Sequence, residues 1–233
     1  SGFPISKYAF SSGDPLYFLA IRLLLAALIL FLLALVFRAP LALSRIDFLA
    51  SLAIGITLHG MYLAGVWYAI SLGAPAGLSS VITSMQPVLV SLIAIRLLSE
   101  PLTRKQVLGL VLGFIGVFLV VLPKLSGTSH FTGTSLGLLV LALLGSTVAT
   151  LMQKKIGRSI PLLIGTTYQF AISGVVLLIL SVVIGKTEFH LTQTGLFAML
   201  WAVLVTSIAA VLLLFWLLNK GSAAKVSSLF YLI

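Results

Sequence analysis

Seven long stretches of the chain are apolar on nearly every face, with no sustained alternation of hydrophobic and polar positions. They fall at residues 15–37, 48–71, 76–97, 105–122, 135–153, 161–184 and 194–218, and proline, glycine and charged residues collect in the short breaks between them. A helix that is apolar all round has no side to present to water. Roughly 18 to 24 residues at ~1.5 Å each cover the ~30 Å of a bilayer's hydrocarbon, so the pattern predicts seven membrane-spanning helices. Two shorter apolar stretches flank them. Residues 1–11 read as the end of a helix, since the run at 135–153 falls opposite them at an offset of 146 residues, and 222–233 as the start of one, because twelve helical residues cover only ~18 Å.

The runs repeat. Gly73-Ala-Pro-Ala-Gly-Leu-Ser-Ser at the start of one run has a near copy in Gly221-Ser-Ala-Ala-Lys-Val-Ser-Ser, 148 residues on. At that offset Tyr68 meets Trp216, Ala76 meets Ala224, and Ser79-Ser80 meets Ser227-Ser228. Pro15-Leu16 and Pro161-Leu162 open two other runs at an offset of 146. The shared order of prolines, glycines and paired serines argues for a duplication rather than for generic apolar helices. The expected organisation is a first repeat at 1–123 and a second at 134–233, five helices each and ten when complete, about nine of them wholly or partly present here. A repeat with an odd number of spans inserts its second copy upside down, so the fold class expected is an all-α membrane protein built as an inverted repeat of two five-helix bundles.

Composition agrees. With 61% hydrophobic residues, 8% charged and a mean hydropathy of +1.26, lipid must cover surface that one soluble core could not hide. The net charge of +10 would suggest nucleic acid in a soluble domain, but 13 of the 14 Lys and Arg lie at or beyond the ends of the runs, where they set topology. Ten of them (Arg38, Arg45, Arg96, Arg104, Lys105, Lys154, Lys155, Arg158, Lys220, Lys225) fall in alternate loops, against three (Lys7, Lys124, Lys186) in the others. That bias puts the first set, and the N-terminus, in the cytoplasm. The expected location is the inner or plasma membrane, multi-pass, with the lipid bilayer and a small-molecule substrate as partners and no nucleic acid. Nothing in the residues fixes an oligomeric state. The chain has no cysteine, so no thiolate site or disulfide is possible.

The candidate chemistry is sparse. All four acids, Asp14, Asp47, Glu100 and Glu188, sit at or beyond helix ends, which leaves Arg22 and His59 as the ionisable groups inside apolar runs. An ionisable residue within a span is a functional hypothesis by default. Arg22 has two readings: it reaches the membrane surface or pairs with Asp14, or it clamps a substrate carboxylate. His59 belongs to a stripe at helical spacing, Ser51, Gly55, His59 and Tyr62, and a polar stripe must face protein or water. It maps onto Ser207 at the 148 offset, as Ser80 maps onto Ser228 and Thr83 onto Tyr231. With Ser84 and Thr150 these hydroxyls complete the expected cavity lining, each of them also explicable as a packing group. A hydrogen-bonded structural role is the competing reading for His59. No catalytic set and no metal or cofactor site is expected, since the three histidines are far apart. With no carboxylate in a span, a coupled proton would have to use His59, whose ordinary pKa is near ~6.5.

The most detailed stretch is Glu100-Pro-Leu-Thr-Arg-Lys-Gln-Val-Leu-Gly-Leu-Val-Leu-Gly-Phe-Ile-Gly-Val117, a capping box of Thr103 and Gln106 followed by Gly109, Gly113 and Gly116 at the spacing of a helix-packing strip. Together with Arg22 after Pro15-Leu-Tyr-Phe, the Gly73 stretch and its echo at Gly221, it resembles the EamA-type family of the drug/metabolite transporter superfamily over essentially the whole chain. Ser99 stands where that family usually has glycine. The resemblance implies a ten-helix inner-membrane exporter of small metabolites, amino acids or toxic compounds, with a central cavity between the repeats. Two other classes compete: a membrane sensor or assembly subunit that carries nothing, and an intramembrane enzyme, which would need paired His, Asp or Glu in the bilayer.

Overall fold

The computed structural model describes residues 9, 12–99, 102–125, 132–157, 159–190 and 192–229, apart from the side chains of 117 and 120–125. Helices follow the apolar runs closely: α1 Pro15–Val36, α2 Arg45–Ser71, α3 Ala76–Leu97, α4 Arg104–Leu125, α5 Gly133–Lys155, α6 Leu162–Ile184, α7 Gln193–Lys220 and the short α8 Ala223–Ser227. Among the described residues six of them, α1, α2, α3, α5, α6 and α7, are long and apolar enough to cross a membrane. The run at 1–11, Glu100 and residues 230–233 lie outside the described residues, Ala9 excepted.

Local chemistry sets the boundaries. Pro15 opens α1 at a position where its missing N–H costs nothing. Ser44, Thr132, Thr192 and Ser222 cap α2, α5, α7 and α8 by accepting from the third amide beyond, and Thr103 and Gln106 form the expected capping box on α4, with Thr103 N donating to Gln106 Oε1 at 2.8 Å and Gln106 N to Thr103 Oγ1 at 3.3 Å. Gly185, in the left-handed conformation at φ 73, ends α6.

Two departures from straight helices matter for the site. The run 76–97 is broken at Ser84-Met85, because Pro87 cannot donate back to residue 83 and its ring crowds that carbonyl. In α2 and α7 the winding loosens to π geometry over Ile56–Leu63 and Ala202–Ala209. These equal-length segments lie 146 residues apart, the offset of the paired prolines, so the duplication is visible in the backbone itself.

Equivalent helices run in opposite directions. The start of α1 is tied to the end of α6, where Gly13 pairs with Phe189 in an antiparallel bridge, Asp14 N donates to Glu188 O at 2.9 Å and His190 N to Ser12 O at 2.6 Å. At the other end, the segment leading from α1 into α2 meets the start of α6: Ser159 Oγ donates to Asp47 Oδ1 at 2.9 Å and Tyr168 Oη to Leu41 O at 3.2 Å. Helices α1 and α6 occupy the same place in the two repeats, so the second copy is inverted relative to the first.

The two copies interlock rather than sit side by side. The most extensive helix contact joins α1 to α6, and α2 packs on both α5 and α6. Glycines permit this closeness. A Cβ on Gly55 would stand 2.5 Å from the carbonyl oxygen of Gln169, and one on Gly145 would stand 2.7 Å from that of Thr57. The expected packing strip on α4 differs. A Cβ at Gly109 or Gly116 meets nothing within 4 Å, and Gly109 borders a small open cleft with Lys105 and Ser228, so small-residue packing is spent on α2, α5 and α6 instead. Phe18, Trp67 and Phe170 fill the centre, with Phe18 stacked on Trp67 at 5.7 Å.

Candidate functional site

The loosened segments of α2 and α7 face a cavity of about 420 Å³ to which both repeats contribute. Its polar wall is Arg22 from α1, His59 and Tyr62 from the first π segment, and Thr206 and Ser207 from the second. Leu58, Leu63, Val205, Val211 and Leu214 make the rest largely apolar, and Val226 and Leu229 close one side. A π turn offsets the side chains that follow it and is frequent at functional sites. Here it sets polar groups from two helices on one space.

Arg22 is the centre of this arrangement. Two turns into α1 and buried, it sends Nε to Ser207 Oγ and Nη2 to Thr206 Oγ1, both at 2.8 Å, while Nη1 is buried without a partner. Thr206 keeps its acceptor face toward the guanidinium because its own hydroxyl donates to Ala202 O at 2.8 Å. The Trp67 ring lies 5.9 Å from the guanidinium carbon, within cation–π range. Neither surface reading of Arg22 applies. It does not reach the membrane surface, and Asp14 instead accepts from the amide of Glu188 at 3.1 Å. The described acids, Asp14, Asp47 and Glu188, all lie at helix ends or in loops.

His59 is likewise buried, with its ring edge-on to Phe170 at 4.6 Å and its Nε2 unpartnered. It makes no interhelical hydrogen bond through that nitrogen.

Arg22, His59, Tyr62 and Ser207 therefore come together, and the other expected lining residues do not join them. Ser80, Thr83 and Ser84 turn their hydroxyls back on their own helix, donating to Gly77 O at 2.8 Å, Ser79 O at 2.9 Å and Val81 O at 2.6 Å. Ser228 does the same to Lys225 O at 2.7 Å and borders the cleft beside α4. Thr150 belongs to a separate buried cluster, accepting from Gln86 Nε2 at 2.7 Å. Tyr231 lies outside the described residues. Sequence reasoning overlooked Thr206, although it adjoins Ser207 in an otherwise apolar run. It also overlooked the buried glutamines: Gln169 Nε2 donates to Gln153 Oε1 at 3.3 Å, and neither lines the cavity.

Among the described residues no group of three or more His, Asp or Glu could hold a metal ion, and the cavity offers no nucleophile paired with a base. What the site can do is hold a small, largely apolar molecule by one polar end.

The profile of the EamA-like transporter family matches residues 1–122 and again 133–233. The chain is 31% identical over 238 residues to the uncharacterized transporter YvbV of Bacillus subtilis (strain 168), an alignment covering 99% of this chain and 74% of that one. It is 28% identical to a chloroplastic WAT1-related protein of Arabidopsis thaliana (67% of this chain, 40% of that one), and 30% identical to an uncharacterized transporter of Synechocystis (67% and 52%). The last two alignments span only about half or less of those relatives' length. Apolar helices in inverted repeats, a cavity on their shared seam and a profile that matches once per repeat converge on one assignment: the chain belongs to the EamA-like transporter family, membrane proteins built from two repeated helical bundles.

Proposed function

We propose that the protein carries small organic metabolites, amino acids, related compounds or drugs, out of the cell by alternating access, and that its chain divides into repeats at 1–123 and 134–233. One observation carries this reading: a cavity on the seam between inverted copies, walled mostly by apolar side chains and supplied with a few convergent polar groups from both. Such sites at repeat interfaces are where secondary transporters bind their cargo, and the volume falls within the range of small-molecule pockets.

The basic residues support an N-terminus in the cytoplasm of a cell-membrane protein. Lys154 is a special member of the set: buried, it donates to Leu218 O at 2.8 Å and to Gly221 O, so it also satisfies the end of α7. Without it the bias is still nine to three. Reporters fused after Arg45 or Lys155 are expected to read cytoplasmic, and reporters after Gly73 or Thr187 external. The opposite pattern removes the proposed orientation and the alternating-access argument with it. The decisive measurement is transport by protein reconstituted in liposomes, tried against a panel of amino acids, organic acids and cationic drugs. Saturable, protein-dependent movement of at least one compound is expected, and movement of none sinks the reading.

A further inference from the structure

The charge balance of the cavity narrows the cargo. Arg22 keeps its charge, as arginine does in proteins. Two of its nitrogens are satisfied by hydroxyls that carry no charge, and Nη1, buried, is bonded to nothing. His59 Nε2 on the same cavity is also unbonded. Each described acid is at a helix end or in a loop, so no side chain of the described cavity neutralises the guanidinium. A charge inside a span is costly unless paired, and a buried donor without an acceptor adds to that cost. The site is thus one negative charge and two polar contacts short of balance.

We propose that the cargo is an organic monoanion, a carboxylate on an apolar body, with its carboxylate against the unpartnered Nη1 of Arg22 and its body along the apolar wall. Resting on the transport reading above, this supplies the sign and shape of the substrate. A carboxylate oxygen accepts from Nη1 through a charge-assisted bond, and its lone pairs leave room for His59 Nε2 when that nitrogen carries the proton. Leu58, Leu63, Val211 and Leu214 offer the rest of the molecule no polar partner, which favours a branched aliphatic or aromatic body over a second charged group. A zwitterion is less suited, because Thr206 and Ser207 already accept from Arg22 and no carboxylate of the cavity wall receives its ammonium. A cation is excluded by charge.

Four compounds of one shape test this: 4-methylpentanoate, leucine, 4-methylpentanamide and 3-methylbutylamine, each titrated against the purified wild-type chain in lipid nanodiscs, with thermal stabilisation as the readout. Phenylacetate extends the carboxylate arm to an aromatic body, and chloride is titrated alone over the same range. The carboxylates are expected to bind at least about tenfold more tightly than the amide, since a hydrogen bond to a charged group is at stake. Leucine should fall between them and the amine should give no shift. Arg22→Lys keeps the preference for carboxylate over amide, while Arg22→Gln abolishes it. Amide or leucine binding as tightly as the carboxylates, no response to either carboxylate, or a chloride response equal to theirs each overturns the proposal. If the liposome panel shows transport while the carboxylates give no response, the substrate class is wrong and transport stands. Absence of transport for the whole panel removes the parent reading instead.

Discussion

The segments Ile56–Leu63 and Ala202–Ala209 have the same length, the same loosened winding and the same place in their repeats, yet share almost no side chain. At the 146-residue register His59 falls on Val205 and Tyr62 on Ile208, while Thr206 and Ser207 fall on Gly60 and Met61. The polar groups of the two copies thus occupy complementary positions. One segment supplies an imidazole and a phenol, the other the two hydroxyls that orient Arg22. Both copies keep the same backbone geometry where they border the cavity. On the proposed reading the side chains were free to diverge because a single cargo would bind across both copies.

The sharpest way to break this comparison is at Arg22, on which the second segment converges. Arg22→Gln is expected to weaken cargo binding by about tenfold to a hundredfold, the worth of a hydrogen bond to a charged group, measured as the half-saturating concentration in liposomes. An unchanged value would mean that the hydroxyl pair holds a structural arginine.

Next is the close approach that brings the first segment to the seam. Gly55→Ala drives a methyl against the Gln169 backbone and should cost about 1–3 kcal/mol of stability. Gly60→Ala, whose Cβ would find only Ile56 Cγ2 at 3.9 Å, should be neutral or slightly stabilising. Thermal unfolding in detergent compares the pair, and equal losses would show that the glycines serve the winding rather than the approach. Thr206→Val and Ser207→Ala follow, each expected to cost about 1 kcal/mol by removing one acceptor from Arg22. Together they should exceed the sum if the guanidinium then swings free, which a double-mutant cycle reads directly.

The smallest change in rate is expected at His59. Among the described cavity residues it is the side chain whose ordinary titration lies near neutral pH, with Arg22 and Tyr62 on the same wall. His59→Gln should remove any dependence of transport on an imposed pH difference, while downhill exchange continues at a reduced rate. A mutant that still concentrates cargo in proportion to the pH difference would place any coupling elsewhere.

Spans, caps and the repeat were legible because each rests on a local rule. Residues 76–97 are apolar enough to cross a bilayer, Thr103 and Gln106 stand at capping-box spacing, and Pro15 and Pro161 open equivalent helices. Arg22 and His59 stood out because charge within a span is rare. The rest was hidden because it depends on rotation about a helix axis. Ser80, Thr83 and Ser84 form as plausible a polar face as Ser51, His59 and Tyr62, but a hydroxyl can satisfy itself on the carbonyl three or four residues back. An arginine or a ring nitrogen cannot do so as easily, which is why the long polar side chains predicted the cavity better than the short ones. The π winding leaves no mark in a hydrophobicity pattern; the offset between copies is 146 through both π segments and 148 from Tyr68 and Trp216 onward, so the second copy's two extra residues follow its π segment.

The pairing of α1 with α6 has a mechanical consequence. These helices come from different repeats, yet they share the most extensive contact among the described elements and are pinned at one end by the Gly13–Phe189 bridge and near the other by Tyr168 and Leu41. A pair held along its length and at both ends behaves as a single spar. On the proposed alternating-access reading, rocking one whole repeat against the other would tear that spar lengthwise, so the bodies that trade places would not be the two copies as they lie in the chain. They would be assemblies that each borrow helices from both, with the spar as the fixed axle between them, and a covalent link from residue 13 to residue 189 is then expected to leave transport running.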